Sequence, residues 1–399
     1  MSEWKESILG DIVEIIMGQS PKGETCNNNG IGFPLLNGPT EFTTSYPVPT
    51  QYTTDPKRFS EINDLLFCVR GSTTGKMNWS DQRYAIGRGI GAIRHRNGAI
   101  LNPYIKGIIE YHLPILLQSA TGSTFPNVSR EQLSSLKIIV PDLPTQITIA
   151  EILSSLDDKI ELNNKINKEL ETLAKAFFKH WFIDFEFPNE NGDPYKSSGG
   201  EMVDSELGKI PKGWENSSLD KIANYLNGLA LQKFLPENEF EFLPVIKIRE
   251  LKQKDTQNSD RASLEIPEKY IVNNGDVLFS WSGSLMIDFW TNGKGALNQH
   301  LFKVTSDLFP KWFYYLWTKH HLNEFIGIAE SKATTMGHIQ RQHLSDAKVL
   351  IPQENYIKEF SLVFEPIISK IIDNRVESVE LTNLRDSLIP KLITGEIKI

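Results

Sequence analysis

The chain has 399 residues, of which 40% are hydrophobic and 23% charged, a composition that excludes wholesale disorder and suits two or three domains. No apolar run reaches the roughly 18 residues of a membrane span, and residues 1–10 do not resemble a signal peptide, so we expect a soluble, cytoplasmic protein without membrane contact. Two cysteines, Cys26 and Cys68, are too few for a disulfide framework or a zinc site.

The charge of the chain is unevenly distributed. A formal net charge of −8 argues against a simple nucleic-acid binder, which usually presents a basic surface. Residues 57–96, however, carry eight Lys or Arg against three acidic residues, whereas residues 142–209 carry 14 acidic residues and seven Lys. Because the acidity is concentrated in one segment and a basic patch in another, DNA binding stays open.

The sequence is a tandem repeat. Trp4 aligns with Trp214 and Gly18 with Gly228, both at an offset of 210 residues, and later motifs keep this offset within two residues. A period of this length is too long for the repeat unit of a solenoid. It therefore indicates two copies of one large module.

The first part of each copy has the pattern of a mixed α/β globular domain. In the first copy, short β-like runs at residues 65–69 and 137–140 are separated by Gly, Pro and Asn, and the stretch from Asn102 to Ser119 is predicted to be helical. The corresponding helical stretch of the second copy extends from Pro310 to Ile328.

The second part of each copy is predicted to be a long amphipathic helix, which in the first copy extends from about Thr145 to Trp181. Its apolar residues alternate at steps of three and four, the heptad pattern of a coiled coil, and this pattern recurs 211 residues later. Because each helix alone would leave an apolar stripe in water, we expect the two helices to pair within the chain. The predicted seam comprises Leu153, Leu156, Ile160, Asn163, Leu170 and Phe177 in the first helix and Ile367, Ile371, Asn374, Leu381 and Leu388 in the second.

Two polar or helix-disrupting features interrupt this seam. Asn163 and Asn374 are predicted to pair as a polar layer that opposes sliding of the helices; the alternative is surface asparagine on helices that bend apart. Pro366 favours a later start for the second helix, since proline fits a first turn but disrupts a helix interior.

The predicted fold class is mixed α/β, with two α/β domains and two long helices in a pseudo-two-fold tandem repeat. The predicted segments are a globular domain at 1–142, a helix at 143–187, a polar Gly- and Pro-rich linker at 188–207, a second globular domain at 208–352 and a second helix at 353–399.

Three stretches of the chain resemble the specificity subunit of Type I restriction–modification systems. They are residues 155–185 in the first helix, residues 205–214 at the start of the second copy, and residues 384–396 near the C-terminal end. Together with the duplication, the resemblance extends over essentially the whole chain. The helical stretches carry it, because the globular domains of this family vary with the DNA sequence that they read.

The resemblance implies a DNA-reading subunit without a catalytic site of its own. Each globular domain would be a target-recognition domain for one half of a split, asymmetric site in double-stranded DNA. The helices would form an antiparallel coiled coil that sets the spacing of the halves and docks two methylation subunits. Those partners would bind S-adenosylmethionine and methylate adenine at N6, and restriction subunits would use ATP and Mg²⁺, so no cofactor or metal is expected in this chain.

Candidate DNA contacts in the first domain combine Gly, hydroxyl and cationic side chains. The stretch 70–76 follows a strand-like run and suits close approach to phosphates, although an ordinary Gly-rich turn has the same composition. Arginines suit bidentate contacts with guanine or contacts with phosphate, although each is also an ordinary surface charge. The candidates are Arg70, Gly71, Ser72, Thr73, Thr74, Lys76, Arg83, Arg88, Arg94, Arg96, Ser123 and Arg130.

Candidate contacts in the second domain lie at aligned positions and have fewer cations. Ser282 and Ser284 correspond to the first domain's Gly-rich stretch, while Asn298 and His300 precede a strand, where a plain turn is an equal alternative. Arg341 aligns with Arg130. An arginine at this position in both copies indicates either a shared phosphate contact or a shared structural ion pair. The remaining candidates are Lys233, Lys247, Arg249, Thr334, Thr335 and His338.

Enzymatic functions fit the sequence poorly. The chain has no phosphate-binding GxxxxGK[ST] loop, and its nearest approach to an adenine methyltransferase motif, Asn102-Pro-Tyr104, lacks the second proline. The alternative to a DNA-reading adaptor is a coiled-coil scaffold whose domains bind other proteins. A specificity subunit whose single partner both cuts and methylates DNA is a third arrangement that fits this chain.

Overall fold

The computed structural model describes residues 4–120, 126–331 and 337–399. The chain divides into two compact units, the first formed by Met1–Glu161 with Leu381–Ile399 and the second by Leu162–Glu380. Each unit contains one globular domain and a part of both long helices.

The first globular domain contains two four-stranded sheets and a two-stranded one. The orders are β2-β9-β6-β7, all antiparallel, and β3-β5-β4-β8, in which β4 and β8 are parallel, while β1 pairs with β10. The strands are β1 Lys5–Ile8, β2 Val13–Met17, β3 Cys26–Asn27, β4 Phe33–Leu36, β5 Gln51–Thr53, β6 Leu65–Cys68, β7 Met77–Trp79, β8 Ala85–Ile86, β9 Ile90–His95 and β10 Lys137–Val140. The helices are α1 Leu9–Ile12, α2 Asn102–Ser119 and α3 Arg130–Ser134, followed by the long helix α4 Leu143–Phe178.

The second globular domain, after an additional hairpin β11-β12, repeats the strand order of the first sheet and the parallel strand pair of the second. Its second sheet differs at the edge, because β17 lies beside β20, whereas in the first domain β3 lies beside β5. Its sheets have the orders β14-β21-β18-β19 and β16-β15-β20-β17, with β15 and β20 parallel, and β13 pairs with β22. The strands are β11 Met202–Ser205, β12 Gly208–Pro211, β13 Glu215–Ser218, β14 Asn224–Asn227, β15 Leu243–Ile246, β16 Arg261–Ala262, β17 Ile271–Val272, β18 Val277–Ser280, β19 Met286–Phe289, β20 Gly295–Leu297, β21 Leu301–Thr305 and β22 Lys348–Ile351. The helices are α5 Leu219–Ile222, α6 Ile248–Gln253, α7 Lys311–Ser331 and α8 Arg341–Asp346, followed by the long helix α9 Glu354–Ile393. The shared topology confirms the duplication.

The long helices have somewhat different bounds from those predicted. α4 ends at Phe178 and continues as a π-helical turn, Lys179–Ile183. α9 begins at Glu354, so the prediction that Pro366 marks its start is wrong. Pro366 has no amide hydrogen to donate to the carbonyl of Leu362. Both residues are exposed, so this proline lies on the solvent side of the helix and not in its packed seam.

Contacts between α4 and α9 inside the second unit establish an antiparallel coiled coil. Asn167 Nδ2 donates to the carbonyl of Ile371 at 3.3 Å, whereas ten residues further along α4 the ring of Phe177 lies 6.5 Å from that of Phe364. Residue numbers therefore increase along α4 in the direction in which they decrease along α9, as in an antiparallel pair. In the first unit, Asp157 of α4 correspondingly contacts Arg385 near the end of α9.

The predicted pairing of Asn163 with Asn374 is realised differently from expectation. Asn163 Nδ2 donates to the backbone carbonyl of Asn374 at 3.3 Å, but the side-chain amide of Asn374 donates to Asn167 Oδ1 at 2.9 Å. All three asparagines are buried. The seam residues of antiparallel helices interleave. The side chain of Asn374 therefore meets that of Asn167, the next seam residue of α4, and not that of Asn163, its equivalent in the repeat.

Every predicted seam residue is buried or half-buried, and the helices also cover the globular domains. In the first unit, Leu153 of α4 and Leu392 of α9 belong to the same hydrophobic cluster as Ile105 of α2. In the second unit, Phe364 of α9 stacks on Trp312 of α7 with ring centroids 4.6 Å apart. Each globular domain therefore shares a continuous core with its portion of the coiled coil.

The segment predicted as a polar linker is anchored by aromatic side chains. Phe187 is buried, and its ring stacks on Tyr195 at 4.6 Å and on Trp214 at 5.1 Å. Residues 202–205 of the predicted linker form strand β11. The segment thus packs against the second domain, which its Gly- and Pro-rich composition did not indicate.

Candidate nucleic-acid interface

Four segments meet at one end of the central sheet of the first domain. In the antiparallel order β2-β9-β6, the C-terminal ends of β2 and β6 and the N-terminal end of β9 lie at the same end of the sheet. We call the segments gathered there the first loop cluster, and they are residues 18–22, 69–76, 86–90 and 126–130.

Backbone hydrogen bonds hold the first loop cluster together. The amide of Val69 donates to the carbonyl of Gly89, and the carbonyl of Val69 accepts from the amide of Val128, each at 2.9 Å. The amide of Gln19 donates to the carbonyl of Ile86, also at 2.9 Å. Val69, directly after β6, therefore joins segments 86–90 and 126–130, and segment 18–22 is joined to segment 86–90.

Side chains fix the turn after β6 in place. The hydroxyl of Thr74 donates to the carbonyl of Pro126 at 2.8 Å, and the thiol of Cys68 donates to the carbonyl of Arg70 at 3.3 Å. Burial raises the pKa of the Cys68 thiol, outweighing its contacts with Arg70 and Thr73, so the group stays protonated. The predicted candidates in residues 70–76 are thus brought next to the segment that leads into α3.

The recurring glycine of the two copies is required by close packing. A Cβ atom on Gly18 would lie 2.2 Å from the carbonyl oxygen of Gly87, and one on Gly228 would lie 2.3 Å from the carbonyl oxygen of Asn298. No side chain fits in that space. The glycine match in the sequence repeat therefore marks where the loop after β2 or β14 touches the loop before β9 or β21.

The second domain assembles an equivalent second loop cluster, made of residues 228–233, 281–284, 297–300 and 337–341. The amide of Gln299 donates to the carbonyl of Leu229 at 2.9 Å, and the amide of Ile339 donates to the carbonyl of Trp281 at 3.0 Å. Ser282 Oγ lies 3.1 Å from His300 Nδ1. Residues from distant parts of the sequence are thus joined in the same way in both domains.

Four predicted cations belong to the first loop cluster: Arg70, Lys76, Arg88 and Arg130. All four are exposed, and among the described residues none of them lies within ion-pair distance of a carboxylate. Arg130 is the first residue of α3, directly after the N-cap Ser129. Cations without a protein counter-charge suit a surface that meets phosphates.

Two other arginines of the first domain lie outside this cluster. Arg83 Nε is 3.1 Å from Glu61 Oε1, and its guanidinium lies 3.9 Å from the centre of the Phe59 ring. Arg96 follows the C-terminal end of β9 and donates to the carbonyl of Gly10 at 3.2 Å. Because β9 extends for six residues, Arg96 is about 20 Å from the end where the cluster lies.

Arg94 forms an ion pair with a buried carboxylate. Its Nη2 is 2.6 Å from Asp64 Oδ2, and Asp64 is nearly inaccessible to solvent. Burial raises the pKa of Asp64, although Arg94 and the backbone amide of Glu61 oppose that rise. The pair lies at the C-terminal end of β9, so a DNA contact by Arg94 remains a prediction that the geometry does not favour.

The second loop cluster is built around an aromatic side chain. The indole Nε1 of Trp281 donates to Asn227 Oδ1 at 3.0 Å, and its ring lies 5.9 Å from those of His300 and Phe302. Trp281 faces an open depression of about 340 Å³. The depression is lined by Asn227, Trp281, Phe302, His338, Ile339, Gln340 and Arg341.

The predicted residues of the second cluster differ in how far their side chains are already engaged within the protein. Asn298 is buried and its Oδ1 accepts from the amide of His300 at 3.2 Å, so this asparagine stabilises the turn. Arg341 donates to the carbonyl of Tyr225 at 3.1 Å, unlike its repeat equivalent in the first domain. Ser284 is exposed.

The predicted basic run of the second domain is only partly available. Lys233 is exposed in the second loop cluster. Lys247 is ion-paired with Asp260, and Arg249 Nη2 lies 2.6 Å from Glu250 Oε1 at the start of α6. The predicted residues Ser123, Thr334 and Thr335 lie outside the described residues. Contacts of all these residues with DNA stay predictions.

Sequence reasoning missed several residues of the clusters. Ser20, whose hydroxyl accepts from Arg88, and the exposed Lys22 lie in the loop after β2. Trp281 and Asn227 shape the second cluster. A usable signal was present: Ser20 and Lys22 closely follow the repeated Gly18, as Lys233 follows the aligned glycine of the second copy.

Two further observations concern metals and membranes. Over residues 4–120, 126–331 and 337–399, no three His, Cys, Asp or Glu side chains gather in an arrangement that could hold a metal ion. Within this same part of the chain, none of the helices combines the length and the apolar character that crossing a membrane requires.

Comparison with known proteins identifies the family. The family described as Type I restriction modification DNA specificity domain matches residues 1–172 and 211–387, one match for each copy of the repeat. The chain belongs to this family. It is a specificity subunit, which supplies DNA target recognition to a Type I restriction–modification system and not the system's catalytic activities. Its partners are therefore DNA and other subunits of such a system.

Individual relatives agree with this assignment. The MjaIX specificity subunit of Methanocaldococcus jannaschii is 28% identical over 316 residues, which cover 73% of this chain and 70% of the relative. The HindI specificity subunit of Haemophilus influenzae is 24% identical, with both chains fully covered. The crystal structure of the S subunit from M. genitalium has the same fold, with a TM-score of 0.56 at 16% identity over 98% of this chain and 96% of that one.

Proposed function

We propose that the first and second loop clusters each contact one half of a bipartite, asymmetric target in double-stranded DNA. The observation that carries the proposal is the recurrence of one loop arrangement with different side chains in the two domains. The first cluster presents the exposed Arg70, Lys76 and Arg88, whereas the second presents the exposed Ser284 and the half-buried His300 and Trp281. Different donor sets at equivalent places suit different base sequences.

The chemistry of the clusters suits DNA on two levels. Exposed cations without carboxylate partners supply attraction to phosphates, which positions a protein on the duplex. Polar and aromatic side chains on loops held by backbone hydrogen bonds supply contacts with base edges and with the thymine methyl group. A rigid loop loses little conformational freedom on binding, so its contacts discriminate more sharply.

The coiled coil is the proposed docking element for the remaining subunits. We propose that it binds two methylation subunits, which use S-adenosylmethionine to methylate adenine at N6, and that restriction subunits requiring ATP and Mg²⁺ join through them. We also propose that the spacing of the two half-sites depends on the length of α4 and α9, which are 36 and 40 residues long. This chain would then bind none of these cofactors itself.

Removing cations from the first loop cluster tests the DNA-binding face. The variant Arg70→Gln/Lys76→Gln/Arg130→Gln, in complex with its methylation partner, is expected to bind a random-sequence duplex at least tenfold more weakly than the unmodified chain in 0.1 M salt. The slope of log affinity against log salt should become shallower by about 2.7, or about 0.9 for each lost phosphate contact. Fluorescence anisotropy measures both quantities.

The matched control removes three exposed cations of the same domain outside the cluster, in the variant Lys57→Gln/Arg96→Gln/Lys137→Gln. Its affinity should stay within about threefold of that of the unmodified chain. An equal loss in both variants would show that charge alone, and not this face, governs binding. Absence of salt-dependent DNA binding in the unmodified complex would favour the protein-binding scaffold instead.

A further inference from the structure

Arg88 differs from the other cations of the first loop cluster in being held by a specific partner. The hydroxyl of Ser20 accepts from the backbone amide of Arg88 at 3.3 Å and from its side-chain Nε at 3.4 Å. This hydrogen bond at Nε restrains the orientation of the guanidinium. Among the described residues, no partner engages the two terminal nitrogens, Nη1 and Nη2, and the side chain is exposed.

The backbone under Arg88 is also fixed. Arg88 lies between two glycines, and a Cβ atom would lie 2.4 Å from Asn37 Oδ1 if added to Gly87 and 2.3 Å from the Asn37 carbonyl oxygen if added to Gly89. Asn37 in turn donates from Nδ2 to Gln51 Oε1 at 2.8 Å. The loop therefore packs closely against the second sheet of the domain, and the backbone that carries Arg88 is held in place by this packing.

A fixed guanidinium with two free terminal donors matches one base edge in particular. Guanine presents the acceptors O6 and N7 side by side in the major groove, and a bidentate arginine is the commonest specific contact with that pair. A phosphate contact does not require such an orientation, because lysine also binds phosphate, as a point charge. Arg70, Lys76 and Arg130 have no comparable side-chain anchor among the described residues.

We infer that Arg88, oriented by Ser20, reads a guanine in the half-site bound by the first domain. The inference rests on the proposed function, because it takes the first loop cluster to be the DNA-binding face. Ser20 is a positioning residue that acts through Arg88. At the aligned place the second domain has Gln299, whose Nε2 lies 3.5 Å from His300 Nε2, so the second half-site is read there by different chemistry.

The test uses duplexes carrying the mapped target and the complex of the full chain with its methylation partner. Each guanine of the first half-site is replaced in turn by 7-deazaguanine, which lacks the N7 acceptor. One replacement is expected to weaken binding by the unmodified chain about tenfold, and binding by Arg88→Gln by less than twofold. Ser20→Ala should show an intermediate sensitivity while its affinity for random-sequence DNA is unchanged.

The control Arg96→Gln removes an exposed guanidinium of the same domain at the opposite end of β9 and should keep the full sensitivity to 7-deazaguanine. Binding to duplexes altered in the second half-site serves as an internal control for folding, since its base discrimination should match that of the unmodified chain in every variant. The inference is overturned if the first half-site contains no sensitive guanine or if Arg88→Gln remains equally sensitive. Uniform weakening on target and random DNA would also overturn it, because that is the behaviour of a phosphate contact.

The two levels of the account fail in different ways. If the mapped target is not split, the proposed function fails and the inference fails with it. If the target is split and each domain governs one half, but Arg88→Gln leaves the first half unchanged, only the reading by Arg88 is lost.

Discussion

Asparagine side chains between α4 and α9 make hydrogen bonds that depend on helix register. Asn163 Nδ2 donates to Glu377 Oε2 at 2.8 Å in addition to the carbonyl of Asn374, and Asn374 Nδ2 donates to Asn167 Oδ1. Sliding one helix by a heptad would place these amides against apolar residues. Because a buried amide without a partner costs about 1–3 kcal/mol, the asparagines oppose such sliding.

The substitution Asn163→Ala tests this polar layer. It removes the donor to Glu377 and to the Asn374 carbonyl, so we expect the free energy of opening of α4 to fall by about 1–3 kcal/mol. Native-state amide hydrogen exchange measures this opening within one unit and avoids assuming two-state unfolding of the whole chain.

The neighbouring residue provides the control. Asn164 is exposed on the same helix turn, so Asn164→Ala should change the opening free energy by less than about 0.5 kcal/mol. Because alanine is a better helix former than asparagine, an equal fall in both variants would contradict the assignment of this effect to the buried hydrogen bonds.

The limits of sequence reasoning are clearest for the arginines of the first domain. Arg88 and Arg94 lie six residues apart in a basic stretch and are equivalent by composition. Arg94 faces Asp64, a residue 30 positions away that the chain brings to it only through the pairing of β6 with β9. The sequence predicted a basic, DNA-facing segment, but which cations are neutralised within it is a property of tertiary contacts.

At the scale of elements, partly buried ion pairs attach each globular domain to its part of the coiled coil. In the first unit Asp157 of α4 lies 2.7 Å from Lys106 Nζ of α2 and 2.7 Å from Arg385 Nη1 of α9. Burial alone would raise the pKa of Asp157, but the two cations outweigh it and the pKa is lowered. One carboxylate thus joins three helices.

The second unit uses a related arrangement. Arg375 of α9 lies 2.6 Å from Glu171 of α4 and 2.5 Å from Asp288 of strand β19. Burial opposes ionisation of Asp288, yet Arg375 and Lys254 hold its pKa below the usual range. In both units, therefore, ion pairs attach the globular domain to the long helices, but the residues that form them differ.

Asp157→Ala should weaken the first unit strongly. The substitution leaves Lys106 and Arg385 partly buried with only their outer partners, so we expect the opening free energy of α4 to fall by about 3 kcal/mol at pH 7, measured by hydrogen exchange. Asp158→Ala, which removes an exposed carboxylate one position along, should cost less than about 0.5 kcal/mol.

The pH dependence of this effect has a definite sign. Because the pKa of Asp157 is lower in the folded chain than the value of about 3.9 for an unfolded one, its contribution is complete above that pH and is lost as the pH falls through the folded pKa. The difference between Asp157→Ala and the unmodified chain should therefore shrink below about pH 4. A difference that grows on acidification would contradict the ion-pair assignment.

The elements differed in how far the sequence specified them. The helix predicted from Asn102 to Ser119 has those bounds, and the heptad seam correctly indicated the coiled coil. The sheet β3-β5-β4-β8 was not predicted, because strands of two to four residues carry too few positions for an alternating pattern. The loop clusters depend on these pairings, so their membership was only partly predictable.

At the scale of the whole molecule, duplication has given one chain two recognition domains that diverged in their loops. The shared topology and the glycines at positions 18 and 228 preserve the loop arrangement. The side chains on it changed, from exposed arginines in one domain to a tryptophan–histidine group in the other. Two different recognition domains in a single chain suit an asymmetric target, which a symmetric homodimer does not.

The measurement that tests the central claim most directly is a genome-wide map of N6-methyladenine in cells expressing this chain with its methylation partner. We expect a split, asymmetric motif. Replacing residues 4–140 by the corresponding domain of another specificity subunit should change one half only, and replacing residues 214–351 should change the other half only. Methylation at an unsplit motif, or a motif unchanged by either replacement, would contradict the account.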